Sequence, residues 1–296
     1  MPNTNPNQKA YLALVLVCII WGTTYLVNKL GVTQMPPLFF TSIRQLIAGF
    51  ILIAFLIFIK GEKWPDKNFL YMQTILGFLL ISCGNGLGIF GLQYIDSGIS
   101  AILATFSPIL IAFLMSILKS SHSISRWTWI GLCLGTLGII IICLQKIGTH
   151  PGKSSIIGIL FTMASVIAWA FGSVYSKLHK NTYPPFMSAG FQMFIGGIPV
   201  FILSLIIEKP LGFQIEQSHL MIWAYTIIIG SLVAYSCYIY ALNHLPVTLV
   251  SIHTYINPII AILLGTFILN ESLNIYIIIG ALVTFTGVYI VTRHRS

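Results

Sequence analysis

The chain has 296 residues, 57% of them hydrophobic and only 7% charged, with a mean hydropathy of +0.93 and a formal net charge of +9. A domain facing water carries about 25% charged residues, so this composition excludes a soluble globular protein and makes lipid the solvent for most of the chain. The net positive charge looks like a nucleic-acid signature only until the basic residues are placed loop by loop, which makes nucleic-acid binding a poor reading.

After the polar start MPNTNPNQK, apolar stretches of about 20 residues, enough to cross a hydrocarbon core of ~30 Å, recur along the whole length. They fall at 10–30, 37–59, 69–92, 97–118, 127–145, 155–178, 186–207, 219–242, 246–268 and 274–292. The runs are continuous rather than alternating, which predicts helices and not barrel strands. The first run has no A-x-A cleavage pattern and reads as a retained span rather than a signal peptide. Cys18, Cys83, Cys133, Cys143 and Cys237 lie inside the spans without metal-ligand spacing. They read as small buried apolar residues, so no disulfide framework, metal or cofactor is expected.

Ten spans put both termini on one side. Lys9, Lys60, Lys63, Lys67, Lys119, Arg126, Lys177, Lys180, Arg293 and Arg295 then share that side, and Lys29, Lys146, Lys153 and Lys209 lie opposite. The positive-inside rule makes the richer side, and both termini, cytoplasmic. The basic balance thus reports topology and contact with anionic lipid headgroups.

Residues 20–49 and 168–197 are copies, 148 positions apart. Without a gap, Trp21 falls on Trp169, Lys29 on Lys177, Leu30 on Leu178, Pro36 and Pro37 on Pro184 and Pro185, Ile47 on Ile195, and Gly49 on Gly197. Further along, Leu92 matches Leu242, Pro108 matches Pro258 and Ile109 matches Ile259. The apolar pattern breaks at KIGTHPGKS, residues 146–154, which divides the chain into repeats at 1–148 and 149–296. Five spans per repeat is an odd number, so the second repeat enters the membrane from the opposite side. Inverted repeats of this kind place a substrate site near the midplane where the halves meet.

The words WGTTYLVNKLGV..MPP, R..IAG, GNGLGIFGLQYIDSGISAILATFSPI and NES......IGALVTFTGVYIV, spread over both halves, resemble the EamA-type permeases of the drug/metabolite transporter superfamily. The resemblance implies a ten-helix inner-membrane carrier with a central cavity, exporting small metabolites such as amino acids, nucleosides or amphipathic compounds. One departure stands out. The family often carries a Glu at the end of the fourth helix, as Glu271 stands after the ninth here, but the matching Lys119-Ser120-Ser121-His122 lacks it.

On the first helix Trp21, Thr24, Tyr25 and Asn28 form one stripe, and the copied stripe on the sixth is Trp169, Gly172, Ser173 and Ser176. A polar stripe in a membrane must face other helices or a water-filled cavity. Both packing and substrate contact fit such a stripe; recurrence in both halves and the resemblance favour the cavity. Asn85 and Gln93 on the third helix, Ser231, Tyr235 and Tyr238 on the eighth, and Thr248, Ser251, Thr254 and Tyr255 on the ninth add neutral hydrogen bonders and aromatics, a lining for an amphipathic or zwitterionic solute. The expected substrate contacts are Trp21, Thr24, Tyr25, Asn28, Asn85, Trp169, Ser173, Tyr235, Tyr238, Ser251 and Tyr255.

Arg44 lies about 12 Å into its span counted from Pro36 and admits two readings, a snorkelling or structural arginine and a ligand for a substrate carboxylate. His253 and Asn257, at i and i+4 away from the Ser251 face, read as a helix-to-helix bond rather than a proton relay. Glu271 reads as a cap at the start of the tenth helix. Pro108 and Pro258 would free backbone carbonyls mid-helix, and Gly131, Gly135, Gly138, Gly280 and Gly287 predict close packing of the fifth and tenth helices.

No catalytic motif survives inspection. Ser116 and Lys119 spell S-x-x-K without its partner motifs, and G-x-S-x-G, H-E-x-x-H and paired intramembrane aspartates are missing. The acids Glu62, Asp66, Asp96, Glu208, Glu216 and Glu271 all fall in loops or at helix ends. An energy-coupled proton would then have only His253 or Glu271 to ride on, and otherwise the protein facilitates or exchanges. The expectation is an all-α polytopic membrane protein of ten transmembrane helices in two inverted repeats. It would export a small-molecule substrate by alternating access, as a monomer or homodimer in the inner membrane. A receptor or scaffold, or a facilitator channel, is the alternative.

Overall fold

The computed structural model describes residues 6–95, 97–118, 125–147, 156–179, 182–269 and 275–293, and among these there is no strand. The first repeat contributes α1 (Pro6–Gln34), α2 (Pro37–Ile59), α3 (Lys67–Leu92), α4 (Ser97–Ala104 and Phe106–Leu118) and α5 (Arg126–Ile147). The second contributes α6 (Ile156–Leu178), α7 (Pro185–Ile207), α8 (Gln217–His244), α9 (Val247–Val250 and His253–Leu269) and α10 (Ile275–Arg293). Seven of these helices, α1, α2, α3, α6, α7, α8 and α10, are long and apolar enough to cross a membrane; shorter apolar helices, Ile102–Leu118, Arg126–Ile141 and Val247–Ile260, lie within the other three. Large apolar side chains such as Phe58, Ile206 and Leu282 stand fully outward, a surface that only lipid can cover. The chain is a multi-pass membrane protein.

The duplicated Pro-Pro pairs set the helix starts. Pro36 and Pro184 hold extended backbone, φ/ψ −56°/123° and −55°/139°, and end the preceding turn, while Pro37 and Pro185 take the first helical position, where a missing N–H costs nothing. Asp66 caps α3, its Oδ1 accepting from Phe69 N at 2.7 Å. Glu216 and His219 close a capping box on α8.

Both α3 and α8 pass through a long π-helical stretch, Gly77–Leu87 and Thr226–Tyr235, at matching places in the two repeats. The wider i→i+5 bonding re-aims every side chain that follows. In α4 the helix breaks at Thr105 and in α9 at Ser251–Ile252, upstream of Pro108 and Pro258. A proline ring clashes with the carbonyl four residues back, so the turn before it loosens.

Among the most extensive helix pairs are α2 with α7 and α5 with α10. Bare backbone makes the second possible: a Cβ on Gly131 would lie 2.7 Å from the Gly287 carbonyl, and one on Gly138 would strike Thr284 and Gly280. The α2–α7 pair is tied at each end by an acid. Glu208, just past α7, accepts from Leu38 N and Phe39 N at 2.8 Å each and so caps the start of α2. Asp66, past α2, accepts from the Tyr183 hydroxyl at 3.0 Å, just before α7. Burial pushes the Glu208 carboxyl up despite the two N–H bonds, whereas the Phe69 N–H and then the Tyr183 hydroxyl hold Asp66 below its usual value.

Candidate functional site

A cavity of about 210 Å³ lies between the repeats, lined by α1, α2, α3, α4, α6, α8 and α9. Its floor is the pair Trp21 and Trp169. From Trp21 the lining runs forward along α1 through Thr24, Tyr25 and Asn28; from Trp169 it runs backward along α6 through Val166, Ser165 and Thr162. Asn85, Gly84 and Gly88 bring α3 to the wall, and Gly230, Ser231 and Tyr235 bring α8, both from or beside the π-helical stretches.

Seven of the expected contacts line this cavity: Trp21, Thr24, Tyr25, Asn28, Asn85, Trp169 and Tyr235. Ser173, Tyr238, Ser251 and Tyr255 do not. Ser173 and Tyr238 share a 2.6 Å hydroxyl bond beneath the floor, because α6 reaches the cavity with the residues before Trp169 and not after it. The Tyr255 hydroxyl donates to Leu132 O at 3.0 Å, its ring seated against Gly135 of α5. Ser251 donates to Thr248 O at 2.8 Å within the α9 break. Of the face counted through Ser251 only Thr254 lines the cavity, and His253 and Asn257 from the other face join it there.

Gln45, Ser100, Ser107, Thr162 and Ser165 also line it. One signal for them was in the sequence: Thr162, Ser165 and Trp169 are at i, i+3 and i+7 on α6, a polar stripe as regular as the one downstream. The helix-to-helix bond expected of these two residues falls to Asn257, while His253 bonds within α9. Its Nδ1 lies 2.9 Å from Val250 O, and its ring meets Trp21 and Tyr238 edge-on with centroids 5.0 and 5.6 Å away. The Asn257 amide, turned so that nitrogen faces the carbonyls, donates to His253 O and Cys18 O at 2.9 Å each. Glu271 lies outside the described residues. Among those described, no group of His, Cys, Asp and Glu could hold a metal ion.

Arg44 governs the electrostatics. It lines the cavity at 4% exposure, donating from Nη1 to Asn28 Oδ1 at 2.9 Å and from Nη2 to Asn85 Oδ1 at 2.6 Å, with the Phe40 ring 5.6 Å from Cζ. Its Nε has no partner. Every described group that meets the guanidinium is neutral, and a cation so placed costs ~2.5–3.5 kcal/mol on membrane-insertion scales. The repeat counterpart of Arg44 is Gln192. Gln192 is fully buried, accepts from Tyr235, the counterpart of Asn85, at 2.7 Å and donates to Gln73 at 2.7 Å.

A model of the EamA-like transporter family matches twice, over residues 8–144 and 156–293. The chain belongs to the EamA-like transporter family. Its similarity to the inner membrane transporter YedA of Escherichia coli (strain K12) is 33% identity over 264 residues, 88% of this chain and 83% of YedA. The transporter YvbV of Bacillus subtilis (strain 168) is 28% identical over 97% of this chain and 92% of its own, and a chloroplastic WAT1-related protein of Arabidopsis thaliana is 26% identical over 95% and 69%. A solved crystal structure shares the fold at a TM-score of 0.78, with 17% identity over 96% of this chain and 97% of that one. An EamA chain is thus two tandem copies of one unit, and the cavity draws on both.

Proposed function

We propose that this EamA protein is a secondary transporter of the inner membrane that moves a small metabolite, an amino acid or amphipathic compound, out of the cell by alternating access. Ten helices cross the membrane in two inverted repeats with both termini cytoplasmic. The observation that carries this reading is the opposite sense in which α1 and α6 leave the tryptophan pair. Two copied helices that line one cavity with forward residues of one and backward residues of the other run antiparallel. The unused stripe, Gly172, Ser173 and Ser176, is then the lining of the opposite state, closed here by the Ser173–Tyr238 bond.

No acid is among the described residues that line the cavity, which favours solute exchange or facilitated transport over proton coupling at this site. Metabolite profiles of cells with and without the protein, followed by vesicle uptake of the solutes that differ, test the reading. Saturable uptake is expected. An absence of flux for every differing solute would replace the carrier by a receptor or scaffold, and linear, unsaturable flux would replace it by a channel.

A further inference from the structure

We infer that Arg44 is a substrate ligand and that the solute this cavity takes bears a carboxylate. The inference rests on the transporter reading above and names its substrate class. The guanidinium is buried at the cavity wall, bonded only to the amide oxygens of Asn28 and Asn85, with Nε unpartnered. No acidic residue is among the described residues that line the cavity, and no ion pair reaches Arg44 from any described residue. Among the described residues the positive charge is therefore uncompensated in a low-dielectric space, which favours an anionic group as its partner. Two neutral amides that hold the guanidinium in plane leave its fork geometry available to a carboxylate.

The internal duplication supplies the control. The equivalent place in the second repeat is filled by Gln192, bonded to Tyr235 where Arg44 is bonded to Asn85 and to Gln73 of the first repeat where Arg44 is bonded to Asn28, and it is fully buried without any charge. Packing at this position is met by a neutral amide, so the charge in the first half answers to something the fold does not require. The aromatic floor of Trp21 and Trp169 supplies the apolar surface against which the rest of the solute lies.

Thermal shift of the purified protein in nanodiscs, with matched probes, tests this. The probes are L-leucine, 4-methylpentanoate and 4-methylpentanamide, and L-phenylalanine, 3-phenylpropanoate and 3-phenylpropanamide. At least one acid is expected to stabilise the protein at concentrations at least about tenfold below its amide. If only the amino acids act, the site also reads the ammonium; if the plain acids act equally, the carboxylate suffices. Arg44→Gln should erase the preference for acid. Should that variant fail to fold, Asn85→Asp, which places an internal carboxylate against Nη2, should fold and erase it as well. Equal effects of acid and amide, acid preference surviving in the variants, stabilisation by chloride alone, or no effect of any acid would each overturn the inference. Saturable transport of a neutral or cationic solute alongside such a result would leave the carrier reading standing.

Discussion

Trp21 and Trp169, each the other's counterpart in the duplicated sequence, meet edge to face with ring centroids 5.6 Å apart and planes at 72°. Tyr238 lies beneath both, 5.3 Å from the first ring and 5.2 Å from the second, and Trp21 Nε1 donates to Gly230 O at 3.2 Å. This cluster separates the open cavity from the packed side of the molecule, so it serves as a floor in this state and as a contact surface for solute.

Trp21→Ala and Trp169→Ala should therefore weaken solute affinity by ~1 kcal/mol or more, about five- to tenfold in KM, while the protein still inserts and elutes as a single species. Transport kinetics beside size-exclusion profiles check this. Unchanged kinetics in both variants would make the pair a packing feature.

Lys29 and Lys177 act alike at equivalent places in the two repeats. Lys29 Nζ donates to Leu92 O at 3.2 Å and reaches Ile95 O at 3.5 Å, and Lys177 Nζ donates to Leu242 O at 3.0 Å and to Leu245 O. Each cation caps the carbonyl end of α3 or α8, where the helix dipole favours positive charge. Lys177→Met should destabilise by about 2 kcal/mol, and Lys29→Met by less because its bonds are longer. Melting curves in one detergent compare them; a Lys177→Met melt equal to the parent would refute the cap.

Asp66 and Glu208 titrate in opposite senses. Asp66 is held below its ordinary 3.8, so its stabilising contribution is present above that value and is lost as pH falls through the lower native one. Glu208 is held above its ordinary 4.5, so the folded chain keeps its proton longer and stability from this group declines as pH rises from 4.5 through the raised value. Melting temperature measured from about pH 3 to 7 should lose its acid-limb slope in Asp66→Asn and its slope above 4.5 in Glu208→Gln. Slopes that persist in both variants would remove these two carboxylates from the account.

The ten-to-four distribution of Lys and Arg predicts sidedness. A cysteine introduced at Gln214, which is exposed after α7, should react with an impermeant maleimide added outside cells, and one at Trp64, exposed before α3, should not. The reverse pattern would turn the protein over in the membrane.

Much of this fold was legible because lipid enforces simple rules. Runs of apolar residues and a duplicated Pro-Pro gave the helix starts, and the Gly131 and Gly287 spacing gave the α5–α10 seam. The cavity was half legible. The α1 stripe, an unbroken α-helix, projected correctly from Trp21 to Asn28. Side-chain periodicity failed where the backbone leaves the α-helical period: past the break at Ser251–Ile252, His253 and Asn257 displaced Ser251 and Tyr255 from the wall. The π-helical stretch in α8 likewise left Tyr235 on the wall and turned Tyr238 under the floor. On α6 the cavity meets the residues before Trp169, Thr162 and Ser165, whereas Ser173, beyond it, is buried. Nothing in the spacing of Arg44 told whether its charge would meet an acid; only the packed neighbours, Asn28 and Asn85, decide that.

Counterflow in proteoliposomes tests the central claim most directly, because it requires one cavity to serve both sides in turn. Vesicles preloaded with a solute that differs between cells with and without the protein, and given a trace of the same labelled solute outside with no ion gradient, should show a transient overshoot of label. The overshoot should vanish in Trp21→Ala vesicles of equal protein content. Uptake that is the same with empty and preloaded vesicles would contradict alternating access and leave a protein whose cavity does not carry its solute across.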